Sequence, residues 1–387
     1  MKLQRFAISA ITVLFLIMFA DAVLAEVSWF KDNTYSFPEK LLAASISAED
    51  NLNDSLHLRY LFYECSGLFN RCIGRRHVDN LYRLDNGHLV SVGGNGEITK
   101  SVEAMKDFNQ FCSSREIPLL YVNLPKKYVR NEDLARFGVA DLTDLKADRF
   151  LSALAEIGTE TLDIRPFIEA KYEDPYDAFY RTDHHWKISA GLYCAQILSE
   201  HLRASYDLDL AVDNIRDEAF SVTLMKNSWV GERGKKTGST YSGLDDFELI
   251  KPIEKTHFYL DRPNKNMKKT GDFSIMLDQS LLDAGFWNCR YGPSFYYSYL
   301  FGNGPIQIIK NEDVDTGRIL MIKDSFAQAV APFLAMTANT LVTWDVRYNT
   351  DSLRDYIDQN NFDCVIVMYT ESMINGSRQN RFMYDFS

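Results

Sequence analysis

The sequence has no block rich in lysine or arginine. Across 387 residues, 42 basic side chains face 53 acidic ones, a formal net charge of −11. Neutralising phosphate supplies most of the affinity for nucleic acid, so this balance argues against such a partner. Beyond the first 25 residues no run is long and apolar enough to span a bilayer. There is no CxxC pair and no Cys/His spacing of the kind that holds zinc, and no repeat or low-complexity tract. Disorder is excluded too, because 46% of residues are hydrophobic and only 25% charged. The length exceeds what one compact core usually serves, so it implies a large α/β domain with insertions, or two domains. The one excess is aromatic, at 13% with 21 Tyr and 25 Phe. That alone names no function.

The N-terminus reads as an export signal. Lys2 and Arg5 precede an apolar stretch from Phe6 to Ala20, Asp21 breaks it, and Val23-Leu24-Ala25 follows with small residues. The alternative is an uncleaved anchor, but a span needs roughly 20 apolar residues and this stretch is shorter. Residues 1–25 are therefore expected to be a signal peptide cleaved near Ala25, leaving a soluble protein that is secreted or periplasmic. Losing Lys2, Arg5 and Asp21 takes the net charge from −11 to −12. An exported chain can keep disulfides. Cys65 and Cys72 are the one close pair, around a span that a small loop could close. Cys112, Cys194 and Cys364 sit in apolar patterns that read as buried thiols, and Cys289 lies in an irregular region.

Residues 26–95 read as an N-terminal region in which Asp85-Asn86-Gly87, between two short apolar runs, signals a hairpin. Residues 96–387 read as the main domain. Val102, Met105, Phe108, Phe111 and Cys112 recur at helical spacing, and IPLLYVNLP is a buried parallel strand closed by Pro125. Helical texture over Asp133–Gly158 leads to a short run at Thr161–Ile164. Ile188, Leu192, Ala195, Ile197, Leu198 and Leu202 make a helical face behind Asp183-His184-His185-Trp186. Residues from about 205 to 310 change character and read as an insertion of strands and loops. Strand, turn and helix then alternate through GRILMIKDSFA, NTLVTWDVRYN and SLRDYIDQNNFDCVIVMYT. Such alternation predicts right-handed crossovers, a parallel sheet, and a site at the C-terminal strand ends.

Three features fall at such ends. Ser325 follows an apolar strand and begins a helix, where its hydroxyl could stand above the sheet beside backbone N–H donors. Asp324 and Ser325 are equally ordinary N-cap residues. Asp183 and His185, two apart in one turn, could supply the imidazole and orienting carboxylate that a nucleophilic serine requires. The same turn could instead be a helix cap with surface histidines. A metal site is disfavoured, because adjacent histidines should point apart, with His184 facing away or supporting by a hydrogen bond. Arg347, in Asp345-Val346-Arg347-Tyr348, could bind a carboxylated substrate or hold the site's loops in place, with a structural salt bridge as the competing role.

The segments YRTDHHWKISAG and ILMIKDSFAQAVAPFLA resemble the signature segments of the DHHW protein family, which belongs with the SGNH-hydrolase-like domains of bacterial alginate O-acetyltransferases. GERGKKTGS, DDFELIKP, TWDVRYN and FDCVIVMYT fit the same family, so the resemblance spans roughly residues 75–372. It implies a catalytic triad of Ser325, His185 and Asp183. The expected fold is a circularly permuted, flavodoxin-like three-layer α/β/α domain, because the Asp-His block precedes the serine block. Lys323 stands where ordinary SGNH enzymes carry Gly, and Thr370 stands near the position of an oxyanion-hole Asn. The remaining oxyanion donors would be the backbone N–H groups of Ser325 and Phe326.

These readings together imply a secreted serine-dependent O-acyl (acetyl) transferase or esterase acting on polysaccharide. The alternative is a non-catalytic exopolysaccharide-assembly or glycan-binding protein that retains the fold. The expected partners are a polysaccharide or oligosaccharide acceptor and a membrane acyl-donor protein, with no cofactor and no metal. Aromatic faces at Trp186, Trp229, Tyr241 and Tyr297, with Arg347, Tyr348 and Thr370, are the candidate substrate contacts. Core packing competes as the role of each aromatic.

Overall fold

The computed structural model of the chain describes residues 59–283 and 294–387. The expected signal peptide, its cleavage point near Ala25 and Cys289 lie outside these residues. Among the described residues, 59–75 with 235–241 form one compact unit, and 76–234 with 242–387 form the other. The smaller unit is built on helix α1 (Arg59–Cys72). Glu64 on this helix accepts hydrogen bonds from the Ser239 and Thr240 N–H groups, both at 2.9 Å. The pairing expected of Cys65 and Cys72 is not made: both thiols are free and exposed. Their segment is helix rather than loop, and seven residues of helix separate Cα atoms by roughly 10 Å. A disulfide spans no more than about 7 Å.

In the larger unit the chain begins with a small antiparallel sheet, β1 (His77–Val78), β2 (Leu81–Arg83) and β3 (Leu89–Val90). The turn between β2 and β3 is the expected one, with Gly87 at φ +86, which a side chain would disfavour. This hairpin lies in the larger unit, not in a separate N-terminal region. Next come α2 (Thr99–Ser113), β4 (Leu119–Leu124), α3 (Thr143–Glu156), β5 (Glu160–Asp163) and α4 (Ile188–Tyr206). An antiparallel pair follows, β6 (Phe220–Trp229) and β7 (Asp245–Pro252). The chain then supplies β8 (Phe258–Arg262), β9 (Met267–Gly271), β10 (Ile306–Asn311), β11 (Arg318–Lys323), β12 (Thr340–Trp344) and β13 (Cys364–Thr370).

Eight strands form the main sheet in the order β5-β4-β13-β11-β12-β10-β8-β9. The first five are mutually parallel, and β10, β8 and β9 continue the sheet with antiparallel neighbours. The expected insertion is therefore not set apart from the domain: β8, β9 and β10 extend its sheet. The alternating burial of Phe258 and Leu260 on β8 carries the same core outward.

Period-two alternation sorts the two faces. Leu120, Val122, Ile319, Met321, Ile366 and Met368 pack with α4 and with residues 326–338. Leu119, Tyr121, Leu320, Ile322, Val365 and Val367 pack against Met105 and Phe108 of α2 and Phe150 and Leu154 of α3. The result is a three-layer α/β/α arrangement with a largely parallel sheet buried on both sides. Its parallel strands end at Leu124, Asp163, Lys323, Trp344 and Thr370, which collects the polar turns that follow them on one edge.

Two positions test this packing. A Cβ on Gly191 of α4 would stand 2.4 Å from the Ala329 carbonyl oxygen. Gly191→Ala should therefore cost about 1–3 kcal/mol of stability through overpacking; an unchanged urea midpoint would contradict the close approach. Glu371, just past β13, is buried, and burial pushes its carboxyl up to about 8 from an ordinary value of 4.5. Between those values the folded state holds a proton that the unfolded chain has lost, so this group makes stability fall as pH rises through the window. Glu371→Gln should remove that fall, and the gap in Tm over the unmodified protein should widen between pH 5 and pH 9. A constant gap would contradict the raised carboxyl.

Candidate active site

Strand β11 is buried along nearly its whole length and delivers Asp324 and Ser325 to the C-terminal edge of the sheet. The buried Asp324 carboxylate shapes the turn. Its Oδ1 accepts the Phe326 N–H at 2.9 Å, and its Oδ2 accepts both the Thr370 N–H and the Thr370 hydroxyl at 2.8 Å. The turn after β11 is thus tied to the end of β13. The segment beyond Ser325 is not one long helix. It is a 3-10 turn over Phe326–Ala329 followed by a short helix over Ala331–Leu334. Pro332 lacks the N–H that would carry a single helix through.

The second segment is a tight turn closed by an antiparallel bridge between Phe179 and Trp186. Asp245, the first residue of β7, accepts the Arg181 and Thr182 N–H groups, both at 2.8 Å. The buried Lys127 amine donates to the Arg181 and Asp183 carbonyls at 2.7 and 2.8 Å. Gly231 closes the turn from the other side, where a Cβ would lie 2.4 Å from the Asp183 Cβ. That close approach lets the Glu232 N–H donate to Asp183 Oδ2 at 2.7 Å. Trp186 is fully buried, and its indole N–H donates to the Phe326 carbonyl at 3.0 Å, joining this turn to the Ser325 turn.

The two turns bring Asp183, His185 and Ser325 into one hydrogen-bonded series. Asp183 Oδ1 lies 2.6 Å from His185 Nδ1, and His185 Nε2 lies 2.9 Å from Ser325 Oγ. Asp183 Oδ1 also accepts the His185 backbone N–H at 2.9 Å, which fixes the ring to its own turn. Asp183 and His185 are fully buried, and Ser325 keeps 6% of its surface exposed. Burial alone would raise the Asp183 carboxyl. Electrostatic attraction to the adjacent His184 and His185 rings, with the hydrogen bonds from His185 and Glu232, outweighs that and holds it well below the usual carboxylate range. An ionised Asp183 selects the tautomer in which Nδ1 carries the proton, leaving Nε2 to accept from the serine hydroxyl.

Tyr296 completes the enclosure. Its ring stacks on His185 with centroids 4.0 Å apart and planes inclined by 12°. Its hydroxyl donates to the Phe326 and Ser325 carbonyls at 2.8 and 3.1 Å. A few residues on, Leu300 and Phe301 hold left-handed backbone at φ +52 and +56. Each costs roughly 1–2 kcal/mol for a residue with a side chain. Nothing in the sequence marks Tyr296 among 21 tyrosines.

The remaining expected residues fare unevenly. The Phe326 N–H, expected as an oxyanion donor, is already given to Asp324, whereas no hydrogen bond among the described residues occupies the Ser325 N–H. The Thr370 N–H and hydroxyl are spent on the same carboxylate, and Thr370 is fully buried, so it offers no face to a substrate. Arg347 is held by Asp345 at 2.8 and 2.6 Å, the structural ion pair rather than a free anion-binding group. Trp186, Trp229 and Tyr241 are core residues and present no stacking surface. Tyr297 stands edge-on to His185 at 6.2 Å, and burial, then the charges of Asp183 and Glu232, push its phenol above the usual range. Tyr348 is 42% exposed, with the Arg347 guanidinium 5.4 Å from its ring. Lys323 turns its buried amine to Gln328 and Asn303 at 3.0 and 3.2 Å, and burial pushes it down to about 8.

His184 does not face away. Its ring lies 3.8 Å from that of His185 and its Nδ1 lies 3.4 Å from Asp183 Oδ1. Burial beside His185 holds it well below the usual histidine value, so it is neutral at neutral pH. The donor atoms of Asp183, His184 and His185 all lie within 4.8 Å of one another, a spacing that could suit a cation. Two of them, Asp183 Oδ1 and His185 Nδ1, face each other in a hydrogen bond instead of a common point.

Residues 81–228 match the family model described as the SGNH hydrolase-like domain of the acetyltransferase AlgX. The match includes Asp183–Trp186 and stops before Ser325. No curated protein matches the chain. Among solved structures, Bacillus cereus PatB1, determined with a sulfonyl adduct, is 18% identical with a TM-score of 0.63, covering 80% of this chain and 98% of its own. A DHHW family protein from Eubacterium siraeum is 17% identical with a TM-score of 0.58, covering 78% and 94%. At these identities the likeness is one of fold. Residues 81–228, which include the Asp-His-His-Trp segment, are thus similar to the SGNH hydrolase-like domain of the acetyltransferase AlgX, and the chain shares its fold with PatB1 and the DHHW family protein.

Proposed function

We propose that the protein is an exported serine-dependent O-acetyltransferase of polysaccharide, with Ser325 as nucleophile, His185 as general base and Asp183 as the orienting carboxylate. The observation that carries this reading is the buried hydrogen-bonded series from Asp183 through His185 to Ser325, at 2.6 and 2.9 Å. The match to an acetyltransferase domain supports the acyl class, and the apolar stretch before Ala25 supports export. Among the described residues no helix is long and apolar enough to cross a membrane.

The chemistry follows from the geometry. Ser325 Oγ bonds to the acyl carbon of the donor as its proton passes to His185 Nε2. The tetrahedral oxyanion collapses, the bond from the acyl carbon to the donor breaks, and the same proton leaves with the departing group. A sugar hydroxyl then gives its proton to His185 Nε2 and attacks the ester; as the bond from the acyl carbon to Ser325 Oγ breaks, His185 passes that proton to Oγ and the resting site is restored. Water in place of the sugar makes the reaction an esterase. Of the Ser325, Phe326 and Thr370 N–H groups, that of Ser325 alone carries no hydrogen bond among the described residues, and loss of one oxyanion donor typically costs about 100- to 1000-fold in rate. A slow enzyme, or a second donor gained when substrate binds, is consistent with that. Tyr297 and the exposed Tyr348 are the aromatic faces left for an acceptor sugar.

The test supplies p-nitrophenyl acetate with and without neutral, acidic and amino-sugar oligosaccharides, and reads both p-nitrophenol release and acetylated sugar by mass spectrometry. Ser325→Ala and His185→Ala should each lower turnover by about 1000-fold or more. Acetylated sugar in excess of released acetate identifies a transferase, and the reverse an esterase. Equal activity in well-folded Ser325→Ala protein would overturn the catalytic reading in favour of a fold kept for glycan binding.

A further inference from the structure

The geometry points to Tyr296 as a positioning residue for this site, one that holds the His185 imidazole and the Ser325 turn in a fixed mutual orientation; the inference rests on the catalytic reading above. An imidazole fixed only by Asp183 at Nδ1 can still rock about that bond and swing Nε2 away from the serine. Face-to-face contact with Tyr296, at 4.0 Å and 12°, blocks that rocking on one side. Phe326 flanks the imidazole as well, its ring centroid 5.0 Å away. The Tyr296 phenol is fully buried and donates to the carbonyls of Ser325 and Phe326. One side chain therefore touches both the base and the backbone of the nucleophile. Burial holds the phenol protonated, far above its usual range, so it remains a donor throughout the working pH range.

The segment bearing Tyr296 is fastened by a buried network of side-chain hydrogen bonds. Gln328, three residues beyond Ser325, donates from its side-chain amide to the Tyr299 and Gly302 carbonyls at 2.6 and 3.1 Å. Its amide oxygen accepts from the buried Lys323 amine at 3.0 Å, so the residue before Asp324 braces the residue that holds the tyrosine loop. Gln307 on β10 adds donations to the Leu300 and Gly302 carbonyls at 3.0 and 3.3 Å. These bonds keep Leu300 and Phe301 in left-handed backbone that neither residue favours. Backbone held against its preference beside a reactive group is a feature of preorganised sites.

Tyr296→Phe keeps the stacked ring and removes the hydroxyl; Tyr296→Leu removes both. Two readouts separate positioning from mere folding. The first is the rate at which phenylmethanesulfonyl fluoride labels Ser325, alongside kcat and KM for p-nitrophenyl acetate. The second is the proton resonance of the His185 Nδ1–H in the bond to Asp183, which needs no turnover. We expect kcat and labelling to fall about 10-fold for Tyr296→Phe and about 100-fold for Tyr296→Leu, with KM changed less than threefold. The Nδ1–H resonance should persist in the Phe variant and broaden or vanish in the folded Leu variant. If Tyr296→Leu does not fold, the Phe variant decides by its kcat against its KM. Wild-type labelling and resonance retained in both variants would overturn the positioning role alone. A folded wild type that is not labelled at Ser325 would overturn the catalytic reading on which it rests.

Discussion

A carboxylate buried with no exposed surface is the constraint on which the site depends. Removing a charge from water is costly unless partners replace the lost hydration. Asp183 finds them in the His185 ring and backbone, the Glu232 N–H and the neighbouring His184. Each partner dictates something further away. The Glu232 N–H can reach only because position 231 lacks a side chain, and the turn carrying Asp183 is itself fixed by Asp245 and Lys127. The β6–β7 excursion therefore returns to the Asp183 turn and supplies part of its support. Were Asp183 to lose these partners, its proton would return and the tautomer that frees His185 Nε2 would no longer be selected.

A second carboxylate organises the Ser325 turn by different means. Asp324 accepts three hydrogen bonds, one from the turn after β11 and two from the end of β13. That arrangement is rigid, and its cost is chemical, since it takes the N–H of Phe326 that could have served the oxyanion. Trp186 and Tyr296 both donate to the Phe326 carbonyl, so the backbone of this one residue is held at both its N–H and its C=O. The DHHW tryptophan thus serves as a tie between two segments 140 residues apart in the chain.

That Asp183, His185 and Ser325 meet was legible because their segments have distinctive residue order and fall beside strand ends or helix starts. The parallel strands were legible as apolar runs between helical patterns. The antiparallel extension by β8, β9 and β10 was not, because short alternating runs do not reveal partners across a long gap in sequence. The Cys65–Cys72 expectation failed because the segment between them was read as loop and is α1. Donor availability at Phe326 and Thr370 depends on where the Asp324 side chain turns, which no residue pattern encodes. Trp186, Trp229 and Tyr241 were candidate sugar-stacking faces, yet all three are buried. Composition could not separate those roles.

The proposed function stands on one step, covalent acylation of Ser325 assisted by His185. The most direct measurement is peptide mapping by mass spectrometry after rapid acid quench of protein mixed with an activated acetyl ester. One acetyl group is expected on the peptide containing Ser325, appearing before steady-state release and abolished in His185→Ala. An acetyl group found only on other residues, or none in folded protein while ester is consumed, would contradict it.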